Sequence, residues 1–287
     1  MPPVKVSRFG GSLADALRKP AEQLEMYWLG QSGFLFRTRN VTWVIDAYLS
    51  NYLAKKYRDH MFSHERMAQP PIATQDLPEL DHVFCTHIHG DHFDVPAIES
   101  IAKNQQKTRF VLPGGIKNDV AHLAVNCERF IWAEAGNSFS LKDEIEVVPV
   151  KAAHESFEYD KEGRHRFLGY LFRCGEIRIY HSGDCIPYEG LVEKLRELRP
   201  DVALLPVNGR SKELTEKNIV GNFSLAEAIE LCVTARVPAM IAQHFGMFAF
   251  NTINPELIDQ AATGTAKELQ ILKAEVGIRY SFNPSRA

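Results

Sequence analysis

The stretch Thr86-His87-Ile88-His89-Gly90-Asp91-His92-Phe93-Asp94 sets three histidines and a carboxylate within six consecutive positions, His87 to His92. Imidazole nitrogens together with carboxylate oxygens suit a borderline divalent cation such as zinc, manganese or iron. The stretch therefore reads as a metal site. Before it, Asp81-His82-Val83-Phe84-Cys85 is a short apolar run of strand type. After it, Asp94 can cap a helix that has Pro96 in its first turn and Val95, Ile98, Ile101 and Ala102 on one face. The ligands are expected on a tight strand-to-helix turn, where Gly90 lets the backbone bend so that side chains on both sides converge.

Three further potential ligands also stand just beyond apolar strands. His154 comes four residues after Ile145-Glu146-Val147-Val148-Pro149-Val150, and Asp184 follows Ile177-Arg178-Ile179-Tyr180 through His181-Ser182-Gly183. His244 follows Pro238-Ala239-Met240-Ile241-Ala242-Gln243. Singly, each reads more readily as a loop or core histidine or a turn-forming aspartate. Their shared placement at strand ends joins them to the His87 turn as one constellation. Asp46, at the end of Val41-Thr42-Trp43-Val44-Ile45, either forms a turn or supports the site, and no role can be matched to His181.

The remaining pattern supplies the elements that must hold these residues. Met26-Tyr27-Trp28-Leu29, Phe34-Leu35-Phe36-Arg37-Thr38 and residues 41–45 form a strand meander. Residues 47–80 leave this rhythm and are expected to be a lid or specificity loop. Lys55, Lys56 and Arg58 there either meet an anionic substrate or form a solvated face. Helices are expected at 95–103 and 115–124, and strands at 109–112, 130–132 and 145–150. A second polar excursion, 155–166, precedes a hairpin of 168–173 with 177–180. The last third alternates a helix carrying Leu191, Val192, Leu195 and Leu198, a strand at 202–207, and a helix opened by a capping box of Ser224 and Glu227. Residues 1–25 are weakly patterned, with a short helix at 12–19 that Pro20 would end. No repeat or linker appears, so one domain over 1–287, two strand-rich halves with helices outside, fits this order.

Composition narrows the partners. Of 287 residues, 45% are hydrophobic and 24% charged, the values of an ordinary globular chain. A net charge of -3 and a pI near 6.4 provide no basic field and argue against nucleic acid. The five cysteines lack any C-x-x-C spacing and read as reduced thiols of a cytoplasmic protein. No apolar run reaches the ~20 residues of a membrane span, and the N-terminus lacks the apolar core of a secretory signal. A homo-oligomer stays open.

The order of an H-x-H-x-D-H turn, a later His, an Asp in a G-D element and a late His resembles the metallo-β-lactamase superfamily over about residues 26–256. The resemblance implies an α/β (α+β) fold, a four-layer αββα sandwich with the metal site at one edge of the sheets. It also implies one or two divalent ions, zinc or manganese first. His87, His89 and His154 would hold one ion, Asp91, His92 and His244 the other, and Asp184 would bridge them. Within the superfamily the chain looks most like the L-ascorbate-6-phosphate lactonase group, through Trp28-Leu29-Gly30-Gln31-Ser32-Gly33-Phe34, Met67-Ala68-Gln69-Pro70-Pro71-Ile72, Leu205-Pro206-Val207-Asn208-Gly209-Arg210 and Asn218-Ile219-Val220-Gly221-Asn222-Phe223.

Asn208, Arg210 and Asn222 offer amide donors and a guanidinium beside a helix start, the groups that bind a phosphate. The alternative for them is turn formation with Arg210 as a surface charge. The expected function is hydrolysis of a small anionic substrate, a phosphorylated sugar lactone, by metal-activated hydroxide, with Asp91 or Asp184 relaying the proton. A phosphodiesterase, phospholipase-D-like or nuclease, using the same centre is the rival. A fold-retaining protein without turnover is a third reading, disfavoured by the complete ligand set.

Overall fold

The computed structural model describes residues 3–142, 144–264 and 268–283; Met1 and Pro2 of the N-terminal stretch read above lie outside them. Successive strand side chains point to opposite faces, and here both faces are covered. Phe34, Phe36, Trp43, Ile45, Phe84 and Val111 enter the core between two sheets. Leu35, Val44, Val83, Phe110 and Leu112 enter a second core on the outer face of the first sheet, together with Ile98 and Ile101 of the helix Val95–Asn104. That double burial explains why these strands read as continuous apolar runs.

Among the described residues, the first sheet has eight strands in the order Val4–Arg8, Ile278–Phe282, Glu25–Gly30, Gly33–Arg37, Thr42–Ile45, His82–Phe84, Arg109–Pro113 and Phe130–Ala133. Pairing is antiparallel up to Thr42–Ile45 and parallel beyond it. The second has seven, in the order Gln270–Lys273, Ala239–Gln243, Val202–Pro206, Ile177–His181, Leu168–Cys174, Ile145–Lys151 and Phe139–Leu141. Helices Leu191–Leu198 and Leu225–Ala235 pack on this second sheet, and their buried leucines join the same core. The result is the expected four-layer αββα sandwich. Aromatic rings lock the two sheets together: Phe172 of the second sheet meets Phe36 and Trp43 of the first at 5.5 Å each and Phe84 edge-on at 5.2 Å. Such pairs contribute about 0.5–1.5 kcal/mol each beyond their buried area, and they fix where the strand ends fall.

Several local expectations change. The helix expected at 115–124 is a single 3-10 turn, Gly114–Ile116, followed by turns. Gly115 donates its N–H to His165 O at 3.0 Å, and a Cβ on Gly115 would lie 2.5 Å from Arg164 O and from His165 O. That contact holds the segment against the 155–166 excursion and out of a helix. Gly90 adopts no left-handed φ. Its missing side chain makes room for Leu53, whose Cδ2 a Cβ would meet at 2.7 Å. Val4–Arg8 and Ile278–Phe282, both unread in the sequence, pair at the sheet edge. The five cysteines are free. No helix of the described residues is long and apolar enough to cross a membrane.

Candidate metal centre

The two sheets meet at one rim with the C-terminal ends of their strands. Thr42–Ile45 and His82–Phe84 bring Asp46 and the His87 turn from the first sheet. Ile145–Lys151, Ile177–His181 and Ala239–Gln243 bring His154, Asp184 and His244 from the second. Cross-sheet hydrogen bonds fasten the rim, Leu168 N to Thr86 O at 3.0 Å and Tyr170 Oη to Cys85 O at 3.2 Å. Gly183 has φ 71°, and a Cβ there would lie 2.9 Å from Thr86 Cβ, so only glycine lets the Asp184 turn lie against the His87 turn.

All seven residues expected as metal ligands converge. Donor atoms of His87, His89 and His154, of His87, His92 and Asp184, and of Asp91, His92 and His244 form three groups, each with its atoms within 4.8 Å of one another. Shared members make the three groups continuous. Asp184 Oδ2 lies 3.3 Å from His92 Nε2, 3.4 Å from His244 Nε2, 3.9 Å from His154 Nε2 and 4.0 Å from His87 Nε2. Asp91 Oδ2 lies 3.6 Å from His244 Nε2 and 3.7 Å from His92 Nε2. His87 Nε2, His92 Nε2 and Asp184 Oδ1 are buried with no hydrogen-bond partner. A native fold seldom leaves such atoms unsatisfied, and imidazole with carboxylate is a donor set for divalent metals. The residues therefore fit one or two such ions.

The supporting residues set the ring orientations. His92 Nδ1 donates to Asp46 Oδ2 at 2.8 Å, and Thr86 Oγ1 donates to the same oxygen at 2.7 Å. The Thr86 hydroxyl hydrogen is thus used, so the 2.9 Å contact with His87 Nδ1 is a bond from the imidazole to Thr86. Asp46 is fully buried, which decides for support over turn formation. Asp46, Gln31 and His244 all have left-handed φ, 47°, 51° and 61°. Non-glycine residues rarely adopt this region, and such strain gathers at functional sites. Gln31 Nε2 donates to Asp91 Oδ2 at 2.8 Å, and His244 N donates to Gln31 O at 3.0 Å. His181 Nε2 donates to Ser32 O at 2.8 Å and its Nδ1 accepts from Gly183 N, so it braces the Asp184 turn.

Burial dominates the titration of the first group. It holds His87 well below the usual imidazole range, lowers His89, and brings His154 to about 4, so all three are neutral donors. For His92 burial also works downward, but Asp184, Asp91 and Asp46 outweigh it and raise the ring well above its usual value. Burial works to raise Asp184 and Asp91, and the facing His244 and His92 outweigh it, so both carboxyls lie below their usual range.

Above the cluster opens a cavity of about 610 Å³ with His89, Asp91, His154, Asp184 and His244 in its lining. The 47–80 excursion forms one wall with Leu53, Tyr57, Phe62 and His64, and Phe248, Phe250 and Asn251 form another. Lys217 is the one lysine or arginine among the described lining residues. Asp94 anchors the start of the excursion, its Oδ2 accepting from Leu49 N and Ser50 N at 2.8 and 2.7 Å.

Asn208, Arg210 and Asn222 do not line this cavity. Arg210 donates through both terminal nitrogens to Glu227 and from Nη1 to Asn222 O, so its guanidinium is committed to the start of helix Leu225–Ala235. Asn222 Nδ2 donates to Asn208 Oδ1 at 3.1 Å, and Asn208 Nδ2 donates to Asn251 Oδ1 at 2.8 Å. The pair stands behind the cavity wall and holds Asn251. Sequence reading gave Gln31 and Thr86 no role although both lie within quoted motifs, and nothing local marked His64 or Lys217.

A family model described as the beta-lactamase superfamily domain matches residues 42–245, most of the chain and all seven converging residues from His87 to His244. The chain belongs to the beta-lactamase superfamily. A metal-dependent hydrolase of Myxococcus xanthus is 28% identical over 253 residues, 86% of this chain and 77% of that protein. An N-acyl-phosphatidylethanolamine-hydrolyzing phospholipase D of Caenorhabditis elegans is 22% identical, over 78% of this chain and 64% of its own. The isothiocyanate hydrolase from Delia radicum gut bacteria superposes with a TM-score of 0.69 at 16% identity, covering 90% of this chain and 99% of that one. This last likeness is one of superfamily fold.

Proposed function

We propose that this protein is a metal-dependent hydrolase that opens a small anionic ester, a phosphorylated sugar lactone before a phosphodiester. Superfamily membership and the metal-dependent hydrolase among its relatives support the hydrolytic class. The observation that carries the reading is the set of unpartnered, buried nitrogen and oxygen atoms facing one another on the floor of an open cavity.

In this reading His87, His89 and His154 would hold one ion and Asp91, His92 and His244 a second, with the Asp184 carboxylate available to both. A bound divalent metal supplies Lewis acidity and water of near-neutral pKa. The chain does the rest. Asp91 is a fifth exposed at the cavity and accepts from Gln31 at Oδ2, and in this reading its carboxylate takes a proton and returns it to the leaving oxygen. Asp184, buried and held anionic, keeps the surrounding imidazoles oriented. Lys217 and Asn251 meet the substrate's anionic group, a role expected of Arg210 and Asn222 from sequence, while Asn208 and Asn222 fix Asn251. The 47–80 excursion covers the bound substrate as a lid, and the free thiols suit a cytoplasmic setting.

The apolar wall of Leu53, Phe62, Phe248 and Phe250 favours a second reading, a phosphodiester bearing an acyl or aromatic group. The phospholipase D relative supports it. Metal-loaded protein offered a phosphorylated sugar lactone and bis-p-nitrophenyl phosphate separates the two. Lactone opening is expected; diester turnover with an inert lactone overturns the preference.

A further inference from the structure

One imidazole in the cavity wall belongs to no part of the metal cluster. His64 stacks on Tyr57 with ring centroids 4.4 Å apart and meets Phe248 and Phe250 edge-on at 5.0 and 4.9 Å. Its Nδ1 lies 2.9 Å from Phe62 O. A carbonyl oxygen can only accept, so Nδ1 carries the hydrogen, and Nε2 of the neutral ring is left with a lone pair. No hydrogen bond among the described residues engages that atom. Burial among the rings pulls the His64 pKa below its usual value, against the opposing pull of Phe62 O, which keeps the ring neutral at pH 7.

A lone pair held in place by three aromatic rings loses little freedom when a ligand arrives, and it discriminates by chemistry. It welcomes a hydroxyl or N–H and gains nothing from an ionised phosphate, an ester carbonyl or an acyl chain. We propose that His64 is a specificity-determining residue whose Nε2 accepts a hydrogen bond from a substrate hydroxyl, so that the site prefers a polyhydroxylated lactone to an unhydroxylated ester of the same ring size. The inference rests on the hydrolytic reading above and narrows its substrate class. Tyr57, Phe248 and Phe250 hold the ring, and the lone pair reads the ligand.

The test uses zinc-loaded protein with D-ribono-1,4-lactone, which carries hydroxyls around the ring, and γ-butyrolactone, which carries none. Wild type is expected to favour the ribonolactone in kcat/KM. His64→Phe keeps the aromatic packing and removes the acceptor; it should lose roughly tenfold on the ribonolactone, through KM, and little on γ-butyrolactone. His64→Gln restores an acceptor oxygen and should recover part of that loss. Equal losses on both lactones, or none on either, overturn the proposal. Nitrogen-15 NMR of the His64 ring reads it without turnover. The Nδ1-protonated tautomer is expected, with an Nε2 signal that moves on adding the ribonolactone and stays still with γ-butyrolactone. The other tautomer, or an indifferent signal, overturns it. A selective shift with neither lactone hydrolysed leaves the recognition standing and removes the reaction.

Discussion

Asp46 and His92 are joined by a 2.8 Å hydrogen bond from Nδ1 to Oδ2, and the oxygen that receives it also receives the Thr86 hydroxyl, through which the ring of His87 is held. One buried carboxylate thus turns the Nε2 atoms of two histidines toward the same centre. Supporting bonds of this kind are worth 10–100-fold in metal affinity. Asp46→Asn should lower zinc affinity by about that factor, and because asparagine tolerates left-handed φ the loss reports the hydrogen bonds rather than backbone strain. Competition against a chromogenic chelator measures it. Wild-type affinity in the variant would remove Asp46 from the centre.

His92 should make metal uptake a proton-releasing event. Burial lowers its pKa, but the facing carboxylates outweigh burial and keep the metal-free ring protonated. A ligating imidazole must be neutral, so binding near pH 7 expels about one proton and affinity weakens as pH falls. Titration calorimetry in two buffers of different ionisation enthalpy should give different apparent heats. Identical heats would contradict the assignment.

Arg210 and Lys217 should separate stability from binding. Arg210→Ala breaks the contacts to Glu227 and Asn222 O, so we expect Tm to fall by about 2–4 °C with KM unaltered. Lys217→Ala breaks an ion pair with the exposed Glu213 and a cation–π contact with Phe62 at 5.6 Å, each worth little at the surface, so Tm should nearly hold. KM for an anionic substrate should rise roughly tenfold, the value of a charge-assisted hydrogen bond. The opposite pattern in thermal melts and saturation curves would return the anion to Arg210.

His82 gives a pH signature away from the metal. Its ring is buried in the strand His82–Phe84 with Nδ1 unpartnered, and burial brings its pKa to about 4. The unfolded chain binds this proton near pH 6.5 and the folded chain does not. Its contribution is therefore intact above about pH 6.5 and lost as pH falls toward 4, up to about 3 kcal/mol. Urea midpoints for His82→Val should decline less than wild type across that window. Parallel declines would exclude the residue.

The candidate ligands were legible because metal chemistry imposes a local code. His87, His89, Asp91 and His92 share one turn, and His154, Asp184 and His244 each follow an apolar run whose strand ends are visible in the chain. The strands themselves were legible wherever both faces are buried, as in 34–36 and 43–45. What the chain could not display is which remote atoms meet. Asp46 is 46 residues from His92, and only sheet pairing places its carboxylate under that ring. Arg210 looked available to a phosphate until helix packing set Glu227 against it. Segment 115–124 had a helical pattern, but the close approach of residues 164–166 to Gly115 prevailed. Val4–Arg8 is held to Ile278–Phe282 by hydrogen bonds whose partners lie more than 250 residues away, a contact no local period encodes. Residue type determined which atoms can bind a metal; the tertiary structure decided their tautomers, their partners and the cavity they face, because each of those depends on distances between segments far apart in the chain.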